Sequence, residues 1–211
     1  MLMSHDRHTK ERLDTMGWYY TNGASKADII AEITAQSITN GEVVARVVKK
    51  SVQGNVLWLV EEGRNPGEAW GDNPKRQIMC YLLNNSGGEG YGYKPITESM
   101  GPSEASCPIK FLDLAPEPDS TYSRDWRGRV REYHRRQSVI KSLAGGDTIT
   151  FENEFDYGQY GKVKVFDVAD IKKRHFYGQR SDGGHFLCRL RADSLTDNLF
   201  TVERTTRTTA T

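Results

Sequence analysis

The stretch EVVARVVKKSVQGNVLWLVE, residues 42–61, predicts the central element of the fold. Residues 42–50 and 55–61 are rich in β-branched side chains, and the short segment between them ends in Gly54. Branched side chains favour extended backbone, and glycine permits a tight reversal. The stretch therefore predicts an antiparallel hairpin.

Helical patterns lie on both sides of this hairpin. Ser25 with Asp28 three residues later predicts a capped helix that ends near residues 40–41. Cys107 and Pro108 precede a short helix at 109–114, and residues 124–143 form the clearest helix of the chain. Its apolar stripe at helical spacing consists of Trp126, Val130, Tyr133, Ile140 and Leu143.

Extended patterns occupy the remainder of the chain. Residues 77–83 predict a short apolar strand directly before a polar, glycine-rich loop at 84–94. Beyond the Gly145-Gly146 break, short β-like runs alternate with turns, at 148–151, 162–168, 175–179, 185–190 and 199–202. This pattern is typical of a small antiparallel sheet or a partly open barrel.

These elements together predict an α+β fold. We expect an N-terminal α/β portion with antiparallel strands and a basic amphipathic helix, followed by a small C-terminal antiparallel sheet or partly open barrel. The expected boundaries are a mobile leader at 1–15, an α+β domain at 16–144, a small β domain at 145–203 and a frayed tail at 204–211.

The composition excludes several classes of protein. The 211 residues carry a net charge of +1, and no stretch approaches the roughly 20 apolar residues that cross a bilayer. The N-terminus has no apolar signal-peptide core, so we expect a soluble intracellular protein. Its three scattered cysteines fit reduced, buried thiols. The five histidines have no metal-ligand spacing and no nucleophile motif occurs, so we expect no metal, no cofactor and no catalytic residue.

The glycine-rich loop is the first candidate site. Glycine lets a ligand or another chain approach the backbone closely, and tyrosines and a lysine add contact area and charge. Phosphate-loop and dinucleotide motifs are absent, so we interpret the loop as a recognition surface. The alternative is a surface loop ordered by its own tyrosines, with Lys94 and Glu98 as a surface ion pair. The candidate binding residues are Gly87, Gly88, Gly90, Tyr91, Tyr93, Lys94 and Glu98.

The second candidate site is basic. Residues 1–120 carry 12 Lys and Arg against 16 Asp and Glu, whereas residues 121–211 carry 17 against 12. Arginines pair well with phosphate, but they can equally pair with carboxylates of the acidic first half. Arg180 and Arg189 extend the second of two basic runs. The candidate polyanion-binding residues are Arg124, Arg127, Arg131, Arg135 and Arg136, with Lys172, Lys173 and Arg174.

Several motifs follow one another in a recognisable order. They are Met16-Gly17-Trp18, the run from Gly90 through Tyr93-Lys94 and Glu98 to Met100-Gly101-Pro102, then Cys107-Pro108 and Trp126-Arg127. The chain from about residue 16 to 200 resembles an uncharacterised family carried by bacteriophages, plasmids and integrative elements. The first 15 residues and the extra Gly88-Glu89-Gly90 of the loop depart from that pattern.

The resemblance implies a context more than a chemistry. Mobile elements commonly carry small proteins that block host defences such as restriction or CRISPR systems, and many of these act by binding. We therefore expect a non-enzymatic counter-defence protein in the host cytoplasm. It would use residues 91–94 and 124–136 to bind a host defence protein, a nuclease complex or its nucleic acid. The alternatives are a small enzyme that holds a nucleotide or phosphate in the loop, with chemistry by Tyr93, Lys94 and Glu98, and a virion component.

Overall fold

The computed structural model describes residues 17–65, 67–68, 70, 74–170, 175–180, 182–190, 194–195 and 198–205. The predicted leader at 1–15, the basic residues Lys172, Lys173 and Arg174, and residues 206–211 of the predicted tail lie outside these ranges. The chain divides into two compact units, residues 1–131 and 132–211.

The first unit is a six-stranded antiparallel sheet with helices. Its elements are β1 (Tyr19–Tyr20), α1 (Lys26–Thr34), β2 (Ser37–Thr39), β3 (Glu42–Gln53), β4 (Val56–Gly63), β5 (Lys75–Asn85), β6 (Tyr91–Thr97), a 3-10 turn (Glu98–Met100), α2 (Ile109–Leu112) and the first half of α3 (Thr121–Ser142). The strand order is β1-β6-β5-β4-β3-β2.

The predicted hairpin lies at the centre of this sheet. β3 and β4 pair from Gln53 opposite Val56 to Ala45 opposite Gly63, and Gly54 makes the reversal with a φ of +56°. The apolar run of β4 shows no alternation because both faces of the sheet are covered. One face packs on α1 through Ile29 and Ile33. The other packs on α2 and α3, in a cluster that includes Trp58 and Trp126.

The helices agree with the sequence in type and differ at one end. The Ser25–Asp28 capping box is confirmed, with the Asp28 amide donating to Ser25 Oγ over 3.2 Å and the Ser25 amide to Asp28 Oδ2 over 2.9 Å. The helix ends at Thr34 rather than near residue 40, because residues 37–39 pair with β3 as an edge strand. That pairing is a tertiary interaction, which local helix signals do not contain.

The second unit contains the five strands predicted from the C-terminal pattern. They are β7 (Thr148–Asp156), β8 (Lys162–Asp170), β9 (His175–Gln179), β10 (His185–Arg189) and β11 (Phe200–Glu203), together with a 3-10 turn (Gly158–Tyr160) and the second half of α3. The sheet is antiparallel in the order β10-β9-β8-β7-β11. Buried and exposed residues alternate along β9 and β10, so one face forms the core. Leu143, the residue after α3, belongs to that core, and Ile140 of α3 packs against it.

The α+β class is therefore confirmed, with strands in the majority. One local interpretation is wrong: residues 91–94 belong to β6 and not to a loop, since they pair with β5 on one side and partly with β1 on the other. The sequence predicts a domain boundary after residue 144, whereas the two compact units divide 13 residues earlier, inside α3 after Arg131. Within the described part of the chain, no helix has the length and apolar character that a membrane span requires.

Candidate functional site

The glycine-rich segment is a hairpin turn that uses its own amide groups. Between β5 and β6, the Ser86 amide donates to the Gly90 carbonyl over 3.1 Å, and the Gly88 amide donates to the Ser86 carbonyl over 3.2 Å. The Gly87 amide donates to Asn85 Oδ1 over 2.9 Å. An amide cradle for an anion needs N–H groups without other partners. Two glycine amides of this turn already have internal acceptors.

Gly90 and Gly92 are required for packing of the chain on itself. A Cβ on Gly92 would lie 2.5 Å from the Tyr19 carbonyl oxygen and 2.4 Å from a ring carbon of Tyr20. A Cβ on Gly90 would lie 2.9 Å from the Ala24 amide nitrogen, and the φ of Gly90 is +89°. The space beside these two glycines is therefore filled by residues 19–24 and is not open to a ligand. Gly87 and Gly88 have open space around them.

The tyrosines and the lysine of the candidate loop lie on opposite faces of β6. Tyr93 stacks on Tyr19 with ring centroids 5.4 Å apart, and its ring lies 5.9 Å from that of Tyr81. Tyr91 and Tyr93 both pack against the core cluster that contains α1. Side chains alternate along a strand, so Lys94 projects from the other face. Tyr91, Tyr93 and Lys94 therefore do not form one surface.

Glu98 and Arg127, predicted in two different sites, form one buried ion pair. Glu98 is 8% exposed and Arg127 is 1% exposed. Arg127 donates through Nε to Glu98 Oε1 and through Nη2 to Glu98 Oε2 over 3.1 Å. The same guanidinium donates to the carbonyls of Leu112 and Pro116 over 3.3 and 2.8 Å. Arg127 is therefore part of the core of the first unit and cannot reach a polyanion.

This arrangement leaves the enzyme alternative without its site. Tyr93 and Lys94 project from opposite faces of a strand, and the Glu98 carboxylate is bound by Arg127. Two cavities found in the described part of the chain are lined by other residues and by none of these three. General acid–base chemistry needs its groups within reach of one substrate. These three do not converge.

Three of the four motifs that carry the family resemblance meet beside the Glu98–Arg127 ion pair. Trp126 Nε1 donates to the Glu104 carbonyl over 2.9 Å, and Arg129 Nη2 donates to the Pro102 carbonyl over 2.7 Å. Cys107 lies in the core cluster with Trp126. Residues 98–108 are thus fastened to α3 by polar and apolar contacts. These motif residues stabilise the fold, whereas we interpreted their segment as a recognition surface.

The remaining arginines of α3 differ in their surroundings. Arg124 is exposed and donates to the Asp119 carbonyl over 2.8 Å, beside the start of the helix. Arg131 is exposed, two helical turns further along the first unit. Arg124 and Arg131 therefore remain on the surface, as a pair on one stripe of the helix.

Arg135 and Arg136 lie in the second unit, in a shared ion-pair network. Arg135 donates to both oxygens of Glu132 over 2.7 Å each, and Arg136 Nε donates to Glu132 Oε1 over 2.8 Å. These hydrogen bonds, that of Arg135 first, lower the pKa of Glu132 from 4.5 to about 2, although burial opposes the shift. Glu132 therefore stays ionised and holds both guanidinium groups in place.

Arg204 joins these two arginines around a cavity of about 370 Å³. Its Nη1 donates to Asp147 Oδ2 over 2.8 Å and to the Ser142 carbonyl over 2.9 Å. Burial raises the pKa of Asp147, but hydrogen bonds from the Ala144 amide, Arg204 and the Thr205 amide hold it below its usual value. The cavity lies between α3 and β11. Its lining residues are Arg135, Arg136, Val139, Phe200, Thr201, Val202 and Arg204, and we call it the arginine groove.

Arg204 is the functional candidate that sequence reasoning missed. The threonine-rich sequence that follows it predicts a frayed tail from residue 204 onward. Its position comes from β11, which pairs with β7 and thereby places residue 204 beside Ser142 and Asp147. The only local signal was the strand pattern at 199–202, which indicates an ordered backbone immediately before Arg204.

Other predicted charges have neighbours of their own. Arg180 forms an ion pair with Asp182 over 2.9 Å, and Arg189 Nε lies 3.1 Å from His175 Nε2. Among the described residues, no group of three or more His, Cys, Asp or Glu could hold a metal ion. The three cysteines are free and buried, as predicted. Burial raises the pKa of Cys80 to about 12 and also raises those of Cys107 and Cys188.

The fold and the groove together define a strand-rich α+β protein with a concave basic surface on its second unit. Comparison with known proteins finds no matching family model, no matching curated protein and no matching solved structure. The geometry of the groove and the resemblance described above are therefore the basis for a proposed function.

Proposed function

We propose that the chain is an accessory protein of a bacteriophage or another mobile element that counters host defence. It acts in the host cytoplasm by binding a host defence protein or nuclease complex, and it works without catalysis. The observation that carries this proposal is the arginine groove. Three guanidinium groups converge there on an apolar floor, which is the composition expected of a protein-binding surface.

The charge of the groove favours an acidic protein surface over a long polyanion. Glu132 and Asp147 balance two of its three arginines, so its local charge is about +1. The whole second unit has 13 Lys and Arg against 11 Asp and Glu, a net charge of +2. Nucleic-acid binding usually relies on many unpaired cations along the backbone. A few carboxylates of a protein partner suit this groove better.

The groove also limits how the arginines can move. Arg136 donates to the Asn198 carbonyl over 3.3 Å, and Arg204 donates to Ser142 Oγ over 2.7 Å. These contacts hold the two side chains before any partner arrives, which reduces the entropy lost on binding. Arg135 is 61% exposed, and it donates to Glu132 through Nε and Nη2.

A plating assay tests the proposal in cells. Expression of the chain in bacterial strains that each carry one restriction or CRISPR-type system should raise phage plating at least about tenfold in one strain. The double variant Arg135→Glu, Arg204→Glu should abolish this effect. The control is Lys164→Glu, which reverses an exposed charge on β8 away from the groove. The proposal would be contradicted if the chain protects phage in none of the strains, or if the double variant protects as well as the original chain.

A titration of the affected nuclease separates binding from catalysis. A binding protein should inhibit the purified nuclease in proportion to its amount and reach an end point at a fixed molar ratio. Complete inhibition by a small fraction of one equivalent, increasing with time, would instead indicate that the chain is an enzyme. Gel shifts with DNA and RNA at low salt supply the third readout, and retardation there that the double variant abolishes would assign the groove to nucleic acid.

A further inference from the structure

The free side of β11 is an unpaired sheet edge that forms one wall of the arginine groove. β11 is the last strand of its sheet and pairs with β7 alone. The Glu152 amide donates to the Leu199 carbonyl over 2.9 Å, so Leu199 and Glu152 are a hydrogen-bonded pair. Such pairs alternate along an antiparallel ladder. Phe200 and Val202 therefore direct their main-chain N–H and C=O groups away from β7, and the described residues offer them no main-chain partner.

The opposite wall of the groove is the second half of α3. Val139 presents an apolar side chain, and Arg135 and Arg136 lie one turn before it. Phe200 and Val202 are partly buried against the core beside this wall. Arg204 lies at the other end of β11. A strand added to β11 would thus meet apolar contacts in the middle and guanidinium groups near both ends.

We propose that the groove binds a short extended segment of the partner as an added strand on β11. This rests on the proposed function and names its binding mode. Main-chain hydrogen bonds to Phe200 and Val202 would supply affinity, and the α3-facing side chains would supply specificity. The segment carries an apolar residue with an acidic residue two positions to either side. Those two acidic residues are about 13 Å apart in extended chain, which lets them reach the arginines at the two ends.

A labelled peptide provides the first test. The probe is fluorescein-Thr-Glu-Thr-Val-Thr-Glu-Thr-amide, in which both glutamates and the valine face the same side of an added strand. A permuted peptide, Thr-Glu-Val-Thr-Glu-Thr-Thr, keeps the composition but places the glutamates on opposite sides. In fluorescence anisotropy with the full chain, the first peptide should bind at least about fivefold more tightly. Equal binding of the two peptides, or no binding of either at millimolar protein, would overturn the proposal.

Two substitutions of Val202 isolate the sheet edge. Val202→Pro removes an N–H that points away from β7, so the β7–β11 ladder keeps its hydrogen bonds. Val202→Ala removes two side-chain methyl groups and keeps that N–H, so it measures the contribution of the apolar side chain alone. The proline variant should weaken peptide binding at least about tenfold, and the alanine variant less than about threefold. Circular dichroism and thermal unfolding verify that both variants fold. Equal effects in folded proteins would reject strand addition.

The same variants distinguish failure of this binding mode from failure of the proposed function. If Val202→Pro still protects phage while Arg135→Glu with Arg204→Glu does not, the groove binds its partner by another mode. If neither variant loses protection, the groove itself is not the site. A single-stranded 20-mer oligonucleotide is tested in the same way. If it binds where the peptide does not, and Arg135→Glu with Arg204→Glu abolishes that binding while Val202→Pro leaves it unchanged, the groove binds nucleic acid and the added strand is rejected.

Discussion

Replacing Arg127 with methionine removes one half of the ion pair that is buried beneath α3. The change leaves the Glu98 carboxylate in a site that is 8% exposed and without its two guanidinium hydrogen bonds. It also removes a donor from the carbonyls of Leu112 and Pro116. Isolated buried charges of this kind cost about 3–5 kcal/mol when their partner is deleted.

This cost is large enough for simple unfolding experiments. Proteins gain about 2.1 cal/mol/K of unfolding entropy per residue near 60 °C, so for a unit of 131 residues the cost corresponds to a fall in Tm of about 10–20 °C. Urea titration and thermal scans followed by circular dichroism measure the change. Urea is preferred to guanidinium because it does not screen charges. Arg131→Met is the matched control, since it makes the same change on an exposed part of the same helix and should cost less than about 0.5 kcal/mol.

A double-mutant cycle shows whether the pair itself is responsible. Glu98→Gln leaves a neutral amide beside the guanidinium and should also destabilise the unit. Because the double variant leaves no unpaired charge, its cost should be smaller than the sum of the two single costs by about 1–3 kcal/mol. Additive effects, or an Arg127→Met variant as stable as Arg131→Met, would refute the reasoning. If Arg127→Met leaves the Tm unchanged but weakens the salt-dependent binding of an anionic partner, Arg127 is a surface residue that binds polyanions, as the sequence predicts.

Three further predictions follow from other parts of the structure. Gly92→Ala should lower the free energy of unfolding by about 1–3 kcal/mol, because its Cβ would collide with the Tyr19 carbonyl. Gly88→Ala is the control, since a Cβ there has open space around it. Equal Tm values for the two variants would contradict this packing. Glu132 has its pKa lowered from 4.5 to about 2, so its contribution is complete above pH 5 and is lost as the pH falls towards 2. Since Glu132 is 34% exposed, acid unfolding should show a loss of only about 1–2 kcal/mol, absent in Glu132→Gln. The Cys80 thiol, with a pKa of about 12, should react with a disulfide reagent at pH 7.5 more than about 100-fold slower than free cysteine, and a fast-reacting thiol in the native protein would disprove its burial.

Much of the local structure is readable from the sequence because neighbouring residues determine it. The hairpin at 42–61 follows from branched side chains that favour extended backbone and from one glycine at the reversal, and both act on their own segment of backbone. The capping box at Ser25 is complete within four residues. The five C-terminal strands are marked by alternating apolar residues. In these C-terminal strands the period of the apolar pattern equals the two-residue period of a strand.

The candidate site was predictable in part. Arg135 and Arg136 are recognisable as cations on an amphipathic helix, and the structure places both beside the arginine groove. Arg204 was not recognisable, since β11 and α3 are far apart in sequence and only their packing brings Arg204 towards them. The sequence of the glycine-rich segment indicates a recognition surface. The close approach of Tyr20 to Gly92, which requires a glycine there, is visible only in the tertiary structure.

By itself the sequence determined the class of fold, the main strands and helices, and the existence of a basic helix. Only the tertiary structure decided which of its cations face solvent. Arg127 and Arg135 are eight residues apart on α3 and are chemically identical, yet one is buried against Glu98 and the other is 61% exposed at the groove. The physical reason is that secondary structure follows from short-range steric and periodic preferences. The environment of a charge depends instead on distant segments that supply its counterion and exclude its water.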